Sequence, residues 1–454
     1  MPIARAWSDS KPLDRPGLGG LAERLIILIG GAVLIAASFL LDLGPSKLWY
    51  AREWLGGLYP FLAWPAIVMG SVVMVSMVWR LALWILYKST PAMPASDPGL
   101  PSITVVIPAY NEGPAVFDCI RSVLASDYPT RMLRVIAVDD GSADDTWRHM
   151  NRAAAMDPGR VELVRLKKNM GKRRALYAGF RLVGSQVVVT VDSDTVLPRE
   201  SLRALVTPLV HSPRVGAVAG RIEARNRDQN LLTRMLAVRY RIGFDFVRAY
   251  QSMLKSVFIC PGAFTAYRLE AIQAHLKDWR DHRFMGRRCH NGDDHHLTNI
   301  VLRGGWDTVY QSGAEARTRV PHTFKGLSLM YLRWARSNIR ESIVYLAFAP
   351  SLLASRPSRI PALVDAVARF VQIPLRLYLV FVGWAAVALH PALVLRSLSI
   401  AVMFSLIHAA VFLRSERSLD SVYTMLYSVF SLLTLQWIYP TAAVTIRQTR
   451  WLTR

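Results

Sequence analysis

Two carboxylates two residues apart, Asp192 and Asp194, close the β-branched run Val187–Thr195, V-V-V-T-V-D-S-D-T. On an extended chain they share one side, because side chains alternate along a strand. Carboxylates that close repel each other unless a cation lies between them, and hard oxygen donors suit Mg2+ or Mn2+. The same Asp-Ser-Asp-Thr also reads as an N-cap-like turn. Other groups stand where a nucleoside diphosphate would need them. Tyr110 offers a ring, while Glu112, Asp139 and Asp140 offer acceptors for a base and a ribose. Lys172 offers a point charge for phosphates and Asp194 a metal contact. Each has a plain structural reading too: Asp-Asp-Gly is a common turn, and Lys167–Arg174 can be a solvated basic face. Their occurrence in strand order is what points to a site.

His282, Cys289, His290, His295 and His296 raise a zinc reading, but the adjacent His295-His296 cannot easily place both rings on one metal, and no ligand spacing matches a zinc module. The three cysteines (Cys119, Cys260, Cys289) are scattered, which argues against a disulfide framework and for a reducing compartment. No G-x-G-x-x-G fingerprint and no Walker lysine motif is present.

The positioning elements follow from periodicity. Ile103–Ile107, Leu133–Val138, Val161–Leu166 and Val215–Ala219 read as strands, like the run before Asp192, with helices over Ala115–Ser126 and Ala175–Leu182. Strands alternating with helices predict an α/β domain with a mostly parallel sheet, each strand releasing its polar motif at the same carboxyl edge. Arg221–Lys255, with seven arginines, reads as a helix with a solvated basic face or one lying on anionic headgroups. Cys260-Pro-Gly-Ala-Phe-Thr reads as a turn after the apolar run Val257–Ile259. Leu327–Ala349 reads as an amphipathic interface helix with Arg333, Arg336 and Arg340 on one face.

The chain has 454 residues, of which 52% are hydrophobic, with a mean hydropathy of +0.24, which points to membrane segments. Leu25–Leu41 and Leu58–Trp79 read as two spans, and the basic residues before the first and after the second put both ends in the cytosol. Ala366–Leu389, Leu393–Leu413 and Val422–Ile446 read as later crossings, with a fourth from a split at Tyr439-Pro440 or from Ile343–Leu353. The expected organisation is a tail and two spans (1–88), a linker (89–101), a cytosolic catalytic domain (102–325), interface helices (326–362), C-terminal spans (363–446) and a cytosolic tail (447–454). That is a multi-pass protein of the cell inner or plasma membrane, with the lipid bilayer as partner. A net charge of +23 admits nucleic acid, anionic lipid or an acidic substrate or product. The charge is spread through juxtamembrane regions and no nucleic-acid module appears, so no nucleic-acid partner is expected.

Pro108-Ala-Tyr-Asn-Glu, Asp139-Asp-Gly-Ser, Gly171-Lys-Arg, Asp192-Ser-Asp, Gly292-Asp-Asp and Arg333-Trp334 together resemble the ordered signature of inverting family 2 glycosyltransferases with a GT-A fold. Within that family the chain is similar to membrane-embedded hyaluronan synthases and chitin-oligosaccharide synthases, including the ending Trp451-Leu-Thr-Arg. The resemblance implies Asp294 as the base that takes a proton from an acceptor hydroxyl. It implies Asp192 and Arg333 at the nucleotide sugar with Tyr110, Glu112, Asp139, Asp140 and Lys172, Asp194 at Mg2+ or Mn2+, and Pro261, Gly262, Asp293 and Trp334 around the acceptor. For Pro261-Gly262 the plain reading is a buried tight turn. Met330 and His295 depart from the family pattern, which has Gln and Arg there. The implied activity is processive polymerisation of UDP-sugars and export of the polysaccharide. Hyaluronan from UDP-GlcNAc and UDP-glucuronic acid leads, with a chitin-like GlcNAc polymer as the alternative and another β-linked glycan third.

Overall fold

The computed structural model describes residues 18–40, 60–389, 393–416 and 418–449. The expected N-terminal tail, the loop between the first two spans and the terminal Trp451-Leu-Thr-Arg lie outside the described residues, as do the side chains of Arg376 and Arg396.

The apolar, β-branched runs become the centre of a sheet. Strands β1 (Ile103–Ala109), β2 (Leu133–Asp139), β3 (Val161–Arg165) and β4 (Val187–Val191) are parallel neighbours in the spatial order β3-β2-β1-β4, and every residue of β1 and β4 is buried. Runs buried on both faces are what a parallel sheet covered by helices requires. The chain builds outward from β1 to β3, through helices α3 (Ala115–Leu124) and α4 (Thr146–Ala154). It then returns through α5 (Lys172–Phe180) to place β4 on the other side of β1. The β1/β4 junction is therefore a topological switch point, where the loops diverge and leave a crevice at the carboxyl edge.

β5 (Val215–Ala224), β6 (Phe264–Arg268) and β9 (Asp307–Thr318) complete a seven-stranded sheet in the order β3-β2-β1-β4-β6-β5-β9. β6 runs antiparallel to both neighbours, so the sheet is mostly parallel rather than wholly so. A separate two-stranded hairpin pairs β7 (Arg283–Phe284) with β8 (Arg287–Arg288). Helix α6 (Ser201–His211) covers β5 and β9.

Several expectations need correction. The strand before Asp192 stops at Val191, and Asp192–Thr195 is a turn closed by Thr195 N–H to the Asp192 carbonyl at 3.0 Å. Strand alternation is therefore not what brings Asp192 and Asp194 together. Arg221–Ala224 is the end of β5, not helix; the helix α7 starts at Leu231, capped by Asn230, and runs to Ile242 before a π-helical turn at Gly243–Arg248. Several arginines of the segment are paired with carboxylates, while Arg225 and Arg239 remain exposed. Arg221 pairs with Glu315 at 3.0 Å, Arg225 with Asp118 at 3.5 Å and Arg241 with Asp245 at 2.6 Å, while Arg227 pairs with Asp420. The turn after the apolar run Val257–Ile259 leads into β6. The linker is pinned: Met93 and Leu100 are buried, and Thr90 N–H donates to Gln311 Oε1 at 3.1 Å.

Helices α1 (Leu18–Leu40) and α2 (Pro60–Leu86) precede this domain. After it come α9 (Phe324–Ser355), α10 (Ile360–Leu389), α11 (Leu393–Glu416), α12 (Tyr423–Thr434) and α13 (Ile438–Val444). α8 (Asp293–Arg303) lies just before β9. The last apolar region breaks at Leu435–Trp437, before Tyr439-Pro440, and Pro440 sits in the first turn of α13, where its missing N–H costs nothing. The arginines of α9 also differ from expectation. Arg336 and Arg340 are buried in protein, bonded to Thr445 and Gln448 and to Asn291, instead of reaching for headgroups. Among the described residues no single helix is long and apolar enough to cross a membrane, while α12 and α13 with the turn preceding them, bent by 50° at their break, together have the length and composition of a broken span or a re-entrant loop.

Candidate functional site

The crevice at the switch point is bordered by four loops, each fixed by its own hydrogen bonds. Beyond β1, the half-buried Tyr110 and Glu112 enter the crevice rim, and the Glu112 amide donates to Thr146 Oγ1 at 2.8 Å. Beyond β2, Asp139 is fully buried, accepting from Ser142 N–H at 3.0 Å and facing Arg165 Nε at 3.2 Å. Asp140 spends one oxygen on the Met170 amide and the other on the Gly171 amide, both at 2.8 Å. These two carboxylates were expected to receive ligand groups. In the structure Asp139 holds its own turn and Asp140 the loop that opens α5, while Asp139 Oδ2 accepts no hydrogen bond. Gly141 completes that clip: at φ +71° it lets the chain pass where a Cβ would lie 2.5 Å from the Lys168 carbonyl carbon.

Clipping the loop delivers Lys172, the first residue of α5, into the carboxylate cluster. Its Nζ lies 2.5 Å from Asp192 Oδ1 and 3.9 Å from Asp293 Oδ2. Burial opposes the ammonium, but Asp192, Asp293 and Asp294 outweigh it and raise the pKa, so the lysine stays charged. Asp293 is buried and its Oδ2 finds no hydrogen bond; burial raises its pKa, Lys172 opposes the rise and Asp294 adds to it. Asp194 is held by Thr318 Oγ1 at 3.0 Å, a contact between the Asp192–Thr195 turn and β9. With Asp192 engaged by Lys172, Asp194 is the carboxylate at the crevice whose oxygen chemistry fits a hard divalent cation.

Asp294 sits in the first turn of α8, where the helix dipole favours a carboxylate. Both oxygens have a donor: His295 N–H at 2.8 Å on Oδ1 and Gly262 N–H at 3.2 Å on Oδ2. It is half-buried where Asp293 is buried, so Asp294 is the one of the pair that faces the crevice. Pro261-Gly262 thus belongs to the site through its backbone, and a Cβ on Gly262 would meet Lys172 Nζ at 3.1 Å.

The turn before α8 is fixed from α9. Gly292 adopts φ +73°, and a Cβ there would lie 2.1 Å from Ser337 Oγ and 2.8 Å from Arg340 Nη2. Arg340, fully buried, donates to the Asn291 carbonyl at 2.8 Å and to its side-chain oxygen at 2.9 Å. The neighbouring Glu341, also fully buried, accepts from Asn299 Nδ2 at 3.2 Å and meets His296 Nδ1 at 2.9 Å. His282 stacks on His296 with ring centroids 3.5 Å apart and approaches Glu341 at 3.3 Å. The two imidazoles depress the Glu341 pKa far enough to overcome its burial. The adjacent histidines part company: His295 is buried, its pKa pushed down to about 4 by burial, while His296 joins His282. The pairing of His282, His296 and Glu341 across 59 residues was invisible to a motif search. The run Arg333-Trp-Ala-Arg-Ser-Asn-Ile-Arg-Glu held the signal, since Ser337, Arg340 and Glu341 are its clamp on the Asp293-Asp294 turn.

Arg333 lies in the field of Asp293, Asp294 and Asp192, with burial lowering its pKa and those carboxylates opposing the fall. Trp334 is 44% exposed, with Tyr331 at 5.7 Å and Tyr240 at 6.1 Å between ring centroids. An indole backed by two aromatic rings and open on another side is a stacking platform. Met330 is buried against the Tyr240 hydroxyl, 3.7 Å from its sulfur, so its departure from Gln is absorbed as packing. The site brings two cations and four carboxylates together beside an aromatic wall. Such a site can bind a diphosphate electrostatically and withdraw a proton with a positioned carboxylate.

A family model described as "Glycosyltransferase like family 2" matches residues 101–337. An N-acetylglucosaminyltransferase of Azorhizobium caulinodans is 30% identical over 358 residues, covering 79% of this chain and 88% of the relative. N-acetylglucosaminyltransferases of Bradyrhizobium diazoefficiens and Mesorhizobium japonicum are 35% and 36% identical over 56% and 55% of this chain. The chain spans 52% and 59% of the length of those two relatives. Among solved structures, a mannosyltransferase from Pyrobaculum calidifontis in complex with GDP-Man and Mn2+ shares the fold, with a TM-score of 0.58 at 21% identity over 85% of this chain and 98% of that one.

Proposed function

The chain belongs to family 2 of the glycosyltransferases, with a GT-A fold, and from that premise we propose that it transfers N-acetylglucosamine from UDP-GlcNAc to a sugar hydroxyl, extending a β-linked GlcNAc oligo- or polysaccharide. The relatives named N-acetylglucosaminyltransferase support this reading over hyaluronan, which the sequence motifs had put first. The observation that carries it is the convergence of Asp294, Lys172 and Asp192 from three separate loops at the β1/β4 switch point.

The transfer is an in-line displacement at the anomeric carbon. Asp294, oriented by the Gly262 and His295 amides, takes the proton of the acceptor hydroxyl as its oxygen bonds to that carbon. The bond from the anomeric carbon to the diphosphate oxygen breaks with its electron pair going to UDP. Lys172 and Arg333 stabilise the charge that develops there. Mg2+ or Mn2+ held by Asp194 would supply further charge neutralisation on the phosphates. Asp293, buried beside Lys172, keeps that ammonium in place. Trp334 stacks on the acceptor sugar.

The proposal extends to a bilayer. Leu25, Ile26, Ile29, Val75, Val78 and Leu86 on α1 and α2 are exposed, whereas Arg24 and Arg80 on the same helices are buried against Asp420 and Asp365. That inversion of the usual surface pattern suits lipid. Multi-pass insertion with the catalytic domain in the cytosol, processive growth and export of the polymer belong to the same proposal.

Asp294→Asn tests the assignment of the base. It keeps the shape and removes the basicity, so turnover falls about 10²–10⁴-fold, the usual worth of a general base. UDP affinity is retained. Near-normal turnover in the variant would remove Asp294 from the chemistry.

A further inference from the structure

A cleft of about 150 Å3 borders the loop that carries Lys172. Lys168, Arg173 and Arg174 line it from that loop and α5, and Arg280, Arg288 and His290 line it from the segment around the β7–β8 hairpin. None of Lys172, Asp192, Asp194, Asp293 or Asp294 reaches it, so it is separate from the carboxylate centre.

Its charge is unbalanced. Of the five cationic groups, Arg280 pairs with Asp281, and Arg288 lies 3.7 Å from the same carboxylate. No acidic residue lines the cleft itself. Arg173 is 3% exposed, and among the described residues no carboxylate lies within ion-pair reach of its guanidinium. It donates to the carbonyls of Trp279 at 2.9 Å and Asn291 at 3.4 Å, and its Nε finds no partner. Its charge lies 5.5 Å from the Trp279 ring centroid and in the field of Asp293 and Glu341; burial still lowers its pKa, so an added anion would favour the charged form. His290 reports the same field: burial lowers its pKa, and Arg173, Arg174 and Arg288 lower it further.

We propose that this cleft is a second anion site, which takes a small molecule carrying a diphosphate or a longer phosphate chain. Five cations around one cavity exceed what a single phosphate needs, and guanidinium forks match phosphate oxygens in pairs. The Met170 and Gly171 side of the cleft is the stretch clipped by Asp140, one residue before Lys172. An occupant there would therefore brace the loop that supplies the donor-site lysine. The site stands on its own charge and geometry and does not depend on which sugar is transferred.

The test uses the full chain in detergent and EDTA, with inorganic pyrophosphate as the probe in titration calorimetry. The Asp194→Ala/Lys172→Met protein, disabled at the carboxylate centre, is expected to retain one pyrophosphate site. Adding Arg174→Glu and Arg288→Glu is expected to weaken that site at least tenfold. Thermal unfolding of each variant checks the fold, and Lys168→Gln, a neutral change on the exposed rim, gives a milder weakening if the double charge reversal fails to fold. Competition with UDP and with geranyl diphosphate distinguishes a nucleotide from a lipid diphosphate as the natural source. Absence of pyrophosphate binding in the Asp194→Ala/Lys172→Met protein, or binding indifferent to Arg174, Arg288 and Lys168, overturns the proposal.

Discussion

Gly292→Ala is the sharpest perturbation of the site that removes none of its reacting groups. At φ +73° an alanine pays the left-handed penalty, about 1–2 kcal/mol. Its Cβ would also lie 2.1 Å from Ser337 Oγ and 2.8 Å from Arg340 Nη2, contacts that cannot persist. Arg340 is fully buried and bonded twice to Asn291, so it has little room to retreat, and overpacking of this kind costs about 1–3 kcal/mol. The sum, about 2–5 kcal/mol, can be relieved in part by lifting the Asn291–Asp294 turn away from α9. A displacement of about 1 Å at Asp294 would lower turnover about 10²-fold. The assay pairs UDP release from UDP-GlcNAc with thermal unfolding in detergent. Gly292→Ala should lose both rate and stability, and adding Ser337→Gly, which removes the nearest atoms, should restore part of each. A Gly292→Ala protein with the rate and unfolding temperature of the parent would refute the claim that α9 pins this turn.

Three further outcomes follow from the same geometry. Trp334→Ala removes the exposed stacking face and should shorten the product while UDP binding persists; full-length product by gel filtration would count against the stacking role. Asp194→Ala should abolish the gain in UDP affinity on adding Mn2+, measured by calorimetry, and an undiminished gain would place the cation elsewhere. His295 is held neutral by burial with its pKa at about 4, below the ordinary value of 6.5. The unfolded chain therefore binds a proton that the folded chain refuses, so the stability is intact above about pH 6.5 and falls as the pH drops toward 4, by up to ~3 kcal/mol. His295→Gln should flatten that part of the profile of unfolding temperature against pH, and an identical slope in the variant would refute the assignment.

Much of this architecture is legible in the chain because it is local. β1, β2 and β4 are β-branched runs buried on both faces, and such runs announce themselves. β6 and β9 do not. Phe264–Arg268 is five residues of mixed polarity just after a Pro-Gly turn, and Asp307–Thr318 carries polar residues through a register shift opposite Gly220/Arg221. Both are strands because their partners make them so, a tertiary effect that propensity does not contain. Arg221–Lys255 was misread for a related reason. Arginines at helical spacing look like a wet surface until the carboxylates that meet them, Glu315, Asp118, Asp245 and Asp420, are known to be neighbours.

The site divides in the same way. Asp192, Asp194, Lys172, Asp293 and Asp294 could be named from motif chemistry; Lys172 meets Asp192 and Asp293, with Asp294 next in the chain, and Asp194 shares the turn of Asp192, held by Thr318. The loop that Asp139 and Asp140 clip is not legible in the chain, because a carboxylate that clips a loop has the same sequence as one that binds a ribose. The Arg340–Glu341 clamp was missed because adjacent opposite charges in a helix resemble a solvated pair. Only the fold places both against the Asn291–Asp294 turn, about fifty residues upstream.

The central claim is GlcNAc transfer from a UDP donor, and UDP release by the purified full chain tests it most directly. With Mg2+ or Mn2+ present, the protein is offered UDP-GlcNAc alone, UDP-glucuronic acid alone, and both together. The account predicts sustained UDP release with UDP-GlcNAc alone, a chitinase-sensitive product and no added requirement for the acidic donor. Release only when both donors are present, with a hyaluronidase-sensitive product, would contradict it.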